Sequence, residues 1–134
     1  MHQVFVYGTL RRRSHNHRLL ESSKFVGNAM TEKKYAMFAS GIPYVTERLS
    51  EIEIVGEVYE VDAETLKRLD RLEGHPDSYE RRMIKVVLEN GRRINAYLYF
   101  YDHIVSDGGS RSRYIRKVTN GDFINPEFKE EDNA

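Results

Sequence analysis

One stretch alone carries the full marks of an α-helix, and every other ordered-looking stretch reads as strand or short turn. Asp62 stands where an N-cap side chain is needed, Leu66 and Leu69 share one helical face of Ala63–Leu72, and Gly74 with Pro76 supplies a stop. Around it lie β-branched and aromatic runs. Val4-Phe5-Val6-Tyr7 predicts a buried first strand halted at Gly8, and Ile52–Val61 predicts a long strand. Gly56 inside that strand marks a bulge or a close backbone approach. Arg82–Glu89 and Arg93–Tyr101 flank Asn90-Gly91, a two-residue hairpin signal. Phe25-Val26 and Tyr35–Phe38 are strand-like pieces within Lys24–Ala39, and Ser40-Gly41-Ile42-Pro43 reads as a turn. The expected fold is α+β: a mainly antiparallel sheet, left open or curled into a small β-barrel, with one main helix packed against it.

The remaining pieces are minor. His17–Glu21 predicts a turn or two of helix with Leu19 and Leu20 inward, and Tyr114–Val118 a helical turn. Gly108-Gly109-Ser110 reads as loop. Residues 1–125 are expected to form the single domain, and residues 126–134 an acidic, frayed tail.

Composition narrows the chemistry. The chain has 134 residues, 40% hydrophobic and 31% charged, an ordinary balance for one domain with its own core. It has no cysteine, which excludes disulfides, a thiolate nucleophile and cysteine-held zinc or iron–sulfur sites. Lys+Arg and Asp+Glu both number 21, so there is no basic excess for a nucleic-acid partner. No run approaches the roughly 20 apolar residues that span a bilayer. Met1-His2-Gln3 leads straight into a strand without the layout of a signal peptide, so a cytoplasmic location is expected.

Two features carry chemistry. At Tyr7-Gly8-Thr9-Leu10 a buried strand ends in a turn. There Gly8 can take dihedrals closed to other residues, and successive N–H groups are left to hold a carboxylate or oxyanion. The plain alternative is a turn without a ligand. The second feature is Glu73, seven residues after Leu66 and four after Leu69, on the same buried stripe. Burial and the helix C-terminus would both raise its pKa toward the range of a general base. A frayed, solvated helix end is the competing reading. Tyr79, Tyr97 and Tyr99 add aromatic surface and hydroxyl donors.

The order of these motifs is distinctive. Val4–Leu10 comes first, then Gly56-Glu57-Val58-Tyr59, then Leu69-Asp70-Arg71-Leu72-Glu73-Gly74-His75-Pro76, then Tyr79 and Arg81. The chain thereby resembles the gamma-glutamylcyclotransferase-like superfamily, and within it the gamma-glutamylaminecyclotransferase-like branch. The resemblance covers residues 3–101, and more loosely reaches Phe123. It implies a small mixed barrel that cyclises a gamma-glutamyl amine or amino acid to 5-oxoproline without a metal or cofactor. Glu73 would be the catalytic acid/base. Tyr7, Gly8, Thr9 and Leu10 would hold the substrate, with Tyr79 as a pocket tyrosine. Tyr97 would be another, with Tyr99 competing for its place. The partner would be a small gamma-glutamyl compound, not a nucleic acid or a membrane, and the protein a monomer or homodimer.

Other readings are weaker. His15-x-His17 lacks a third metal ligand at a typical spacing. There is no Gly-x-Ser-x-Gly elbow, and Asp102-His103 near Ser106 has no such context. Arg11–Arg13 and Arg111, Arg113, Arg116, Lys117 would suit a non-catalytic binding module for small molecules or nucleic acid if they converged on one face.

Overall fold

A computed structural model of the chain describes residues 1–106 and 115–130. The strands are β1 (His2–Val6), β2 (Lys24–Ser40), β3 (Ile42–Thr46), β4 (Ile52–Val61), β5 (Glu80–Leu88), β6 (Arg93–Phe100) and β7 (Arg116–Val118). Helix α1 spans Ala63–Glu73, α2 is the short His103–Ser106 segment, and a 3-10 helix covers His17–Leu20.

Five strands close a barrel in the order β2-β4-β1-β6-β5, with β5 returning to β2. All pairings are antiparallel except β1 with β6, where Val4 lies opposite Tyr97. The 17-residue β2 pairs with four other strands. Its register slips between Phe25 and Gly27 and between Met30 and Lys34, which bends it from the barrel to the flanking β3 and β7.

Alternation along β1 sorts two cores. Phe5 and Tyr7 join the barrel interior with Ile54, Val58, Val86 and Leu98. Val4 and Val6 face the other way, onto Leu66 and Leu69 of α1 and Leu20 of the 3-10 helix. A strand buried on both faces reads as a continuous apolar run, which is what β1 shows. Gly56 is a close approach: a Cβ there would fall 2.3 Å from the Val6 carbonyl oxygen. Asp62 caps α1 by accepting from the Thr65 N–H at 2.7 Å, and Gly74 ends it at φ +68°.

Three expectations need correction. Residues Arg116–Val118 are not helical but strand β7, paired with Met37–Ala39 of β2. Strand β3 stands where only a turn was expected, because Gly41 at φ +77° reverses the chain tightly enough for Ser40 to pair with Ile42. Phe128 is docked rather than frayed: it bridges Val118, and the Lys129 N–H donates to the Lys117 carbonyl. The expected loop at Gly108–Ser110, Tyr114 and the last four residues of the tail lie outside the described residues.

Candidate active site

At the end of the barrel where β1 finishes, a pocket of about 180 Å³ is lined by Tyr7, Gly8, Thr9 and Leu10, by Glu73, and by Tyr79 and Tyr99. Residues 66 positions apart in the chain meet because α1 packs across β1 and ends beside the turn that follows it.

The turn is built so that its donors are spare. The Arg11 N–H donates to the Gly8 carbonyl, closing a β-turn. The Asn16 N–H donates to the Thr9 carbonyl. His17 Nδ1 lies 3.0 Å from the Leu10 carbonyl oxygen, so that nitrogen carries the hydrogen. All three carbonyls are thus occupied. Among the described residues, no acceptor pairs with the N–H groups of Gly8, Thr9 or Leu10. Such a run of free amides is an anion cradle. Thr9 Oγ1 accepts from Asn16 Nδ2 at 2.9 Å, which leaves the hydroxyl hydrogen for a ligand.

The reason for glycine at position 8 differs from the expected one. Gly8 is not in the left-handed region; instead a Cβ there would sit 2.6 Å from Cγ of Pro43. The turn needs glycine because β3 presses against it.

Glu73 is the last residue of α1 and is half-buried. Loss of hydration on burial pushes its carboxyl up to about 7. No donor among the described residues offsets that loss. The helix end is not frayed: the Gly74 N–H donates to Arg71 and Asp70 carbonyls, and the Tyr79 N–H donates to the Glu73 carbonyl. Glu73 is therefore fixed at the pocket wall.

Neighbouring Asp70 contrasts with it. Burial pushes Asp70 up, but two hydrogen bonds from Arg81 (2.8 and 2.9 Å) and one from the Tyr99 hydroxyl (2.6 Å) outweigh it and hold the carboxyl below its ordinary value. The phenols of Tyr7, Tyr79 and Tyr99 are all raised, by burial first, with the charge of Glu73 contributing to each. They remain neutral donors at physiological pH. The Tyr79 hydroxyl donates to the Pro43 carbonyl at 2.9 Å, and that of Tyr7 to the Tyr99 carbonyl at 2.5 Å.

Tyr97 does not line the pocket; Tyr99 does. β1 and β6 run parallel with Val4 opposite Tyr97, so Tyr99 lies further along, toward the turn. Tyr97 instead lies under the Arg81 guanidinium, 4.6 Å from the ring centre. Sequence reading missed His15 and Asn16, which also line the pocket. The signal for them was weak: a polar loop with no periodicity.

Among the described residues, no group of three or more His, Asp or Glu side chains could hold a metal, and no helix is long and apolar enough to cross a membrane. Several members of the basic clusters are engaged within the fold. Arg11 bridges Glu57 and Asp122, Arg12 bonds Asn28, and Lys117 reaches Glu51. Arg111 and Arg113 lie outside the described residues.

A closed mixed barrel with an outer helix thus carries a pocket in which a carboxylate without a partner among the described residues stands beside a turn of free amides. The barrel is shared with an uncharacterized Pyrococcus horikoshii protein, at a TM-score of 0.65 and 28% identity over 92% of this chain and 90% of that one. It is shared also with a mouse AIG2-like protein, at 0.66 and 29% identity over 75% and 76%. The chain belongs to the gamma-glutamyl cyclotransferase, AIG2-like family, whose model matches residues 4–124. A Methanocaldococcus jannaschii protein classed by name with the gamma-glutamylcyclotransferases is 54% identical over 102 residues, 75% of this chain and 85% of its own length. Gamma-glutamylaminecyclotransferase C of Danio rerio is 31% identical over 135 aligned residues, 90% of this chain and 89% of its own length. These relatives mark the chain as a gamma-glutamylcyclotransferase-like enzyme.

Proposed function

We propose that the pocket cyclises a gamma-glutamyl amine to 5-oxoproline and releases the amine, with Glu73 moving the proton. The observation that carries this reading is a carboxylate drawn up to about 7, without a partner among the described residues, in one pocket with three free main-chain N–H groups.

The substrate's α-amine, with a pKa of roughly 8, is mostly protonated at neutral pH and cannot attack. Glu73, ionised in an appreciable fraction near pH 7, takes that proton. The freed nitrogen then attacks the side-chain carbonyl carbon of the same molecule, so the pocket has only to select the folded rotamer. The new carbon–nitrogen bond makes a tetrahedral oxyanion. The N–H groups of Gly8, Thr9 and Leu10 serve the substrate's anionic groups, the oxyanion among them; one such donor is typically worth about 3 kcal/mol of barrier. Collapse breaks the original amide bond as Glu73 gives its proton to the departing nitrogen. Glu73 then takes the second hydrogen of the ring nitrogen, leaving the neutral lactam, and passes it to the released amine, which departs as an ammonium. The three phenols, whose hydrogens are held by the Tyr99 carbonyl, the Pro43 carbonyl and Asp70, supply neutral walls.

The lining also bears on the leaving group. No lysine or arginine lines the pocket among the described residues, and its edge carries the exposed apolar side chains of Ile42 and Leu72. An amino-acid leaving group would bring a carboxylate close to Glu73 with no cation to meet it. An amine without that carboxylate meets hydrocarbon instead. The test is a panel of gamma-glutamyl amines and gamma-glutamyl amino acids scored by 5-oxoproline release. Turnover should favour the amines and vanish in Glu73→Gln, which should keep its fold. Undiminished turnover in Glu73→Gln would remove Glu73 from the reaction.

A further inference from the structure

Beneath the Gly8–Leu10 turn lies a second acidic side chain that the chemistry above does not use. Glu57 sits in β4 opposite Val6, and is only 4% exposed. It does not line the pocket. A buried carboxylate is costly unless donors surround it, and here two of the donors come from Arg11 and Arg12, directly after the cradle, and one from Tyr59 of β4. Glu57 Oε1 accepts from the Arg12 main-chain N–H at 2.9 Å and from the Tyr59 hydroxyl at 2.9 Å. Its Oε2 accepts from Arg11 Nε at 3.3 Å. The same Arg11 reaches Asp122 at 2.9 Å through its guanidinium, while its main-chain N–H closes the turn on Gly8.

We propose that Glu57 is a positioning residue: its carboxylate grips the main chain of Arg12 and the guanidinium of Arg11, and so fixes the angle at which the amides of Gly8–Leu10 meet the substrate. This rests on the function proposed above. The chemistry explains why glutamate stands there. Main-chain N–H, guanidinium and phenol are all donors, and only a group that accepts on both oxygens satisfies them together. Glutamine would turn an NH2 toward one of these donors. Aspartate, one methylene shorter, would not reach a turn on the next strand's end. Because electrostatic stabilisation of an oxyanion depends on placement within a fraction of an ångström, a small rotation of the turn should appear in kcat before it appears in KM.

The test compares the parent chain with Glu57→Gln on a gamma-glutamyl amine, with folded fraction measured by thermal melting. Amide resonances of Thr9, Leu10, Arg12, Glu73 and Tyr79 are followed by 1H–15N NMR. Glu57→Gln should lower kcat by about thirtyfold and leave KM within about threefold. The acid limb of the pH–rate profile, set by Glu73, should stay where it is in the parent. The amides of Thr9, Leu10 and Arg12 should shift, and those of Glu73 and Tyr79 should not. A purely structural role would lower the melting temperature but leave the kcat of the folded protein and the acid limb unmoved, and that result overturns the proposal. If Glu57→Gln does not fold, Tyr59→Phe removes one donor to the same carboxylate and should lower kcat by about threefold while shifting the same amides; unchanged kcat and unmoved amides there would refute the clamp. If the parent chain releases no 5-oxoproline, the proposed function fails, and the amide shifts alone decide whether Glu57 sets the turn.

Discussion

Asp70 and Glu73 lie less than one turn apart on the same helix, and the fold treats them in opposite ways. The Asp70 region is saturated: a two-pronged Arg81, the Tyr99 hydroxyl and a depressed carboxyl. At Glu73 no donor among the described residues reaches the carboxylate, and the carboxyl rises to about 7. Asp70 braces β5 and β6 against the helix and contributes to stability. Glu73 sits in the pocket and costs stability for as long as it is charged. One carboxylate holds the frame while the other is left free to exchange a proton.

The largest effect that could break this contrast is on rate. Glu73→Gln should lower kcat for 5-oxoproline release by about a thousandfold, in the range a lost general acid/base gives, whereas Asp70→Asn should lower it far less in the folded protein. In the parent, activity should rise with pH through about 7 and level off as Glu73 becomes ionised.

Next in size is stability at Asp70. Asp70→Asn leaves Arg81 and Tyr99 poorly matched and should lower unfolding free energy at pH 7 by about 2 kcal/mol, read from urea melts. Because the folded Asp70 carboxyl lies below its ordinary 3.8, this contribution should persist down to that pH and disappear only as pH falls further.

Glu73 should respond in the other direction. Its folded carboxyl is raised from 4.5 to about 7, so the parent loses stability as pH climbs across that window. Glu73→Gln should match the parent below pH 4.5 and exceed it at pH 8 by up to about 3 kcal/mol. Melts at the two pH values read this directly; a destabilised variant at pH 8 would show that Glu73 has a partner after all. The smallest effect belongs to Tyr97. Tyr97→Phe keeps the ring beneath Arg81 and should leave kcat and KM within about twofold, because its hydroxyl is not part of the pocket.

What could be read from the sequence follows from how local each cause is. The helix was legible because Asp62, the Leu66–Leu69 stripe and Gly74 act within a few residues of one another. The hairpin at Asn90-Gly91 was legible for the same reason: Gly91 takes φ +87° and its N–H returns to the Leu88 carbonyl. Strand β7 was not, since three residues become a strand only because β2, some 80 positions earlier, offers an edge. Tyr97 and Tyr99 share a strand face, so spacing could not separate them; the parallel register of β1 and β6 does. Gly8 was legible as a glycine position, but its cause, the ring of Pro43, lies on a strand that local pattern did not show. The saturation of Asp70 and the isolation of Glu73 depend on Arg81 and Tyr99 arriving from β5 and β6, which no pattern within the helix encodes.

The most direct measurement is the titration of the Glu73 side-chain carboxyl carbon by 13C NMR in the ligand-free protein, assigned by its absence in Glu73→Gln. A midpoint near 7 is expected. A midpoint near the ordinary 4.5 would place a hydrated or partnered carboxylate at the end of α1 and contradict its part in the proton transfer.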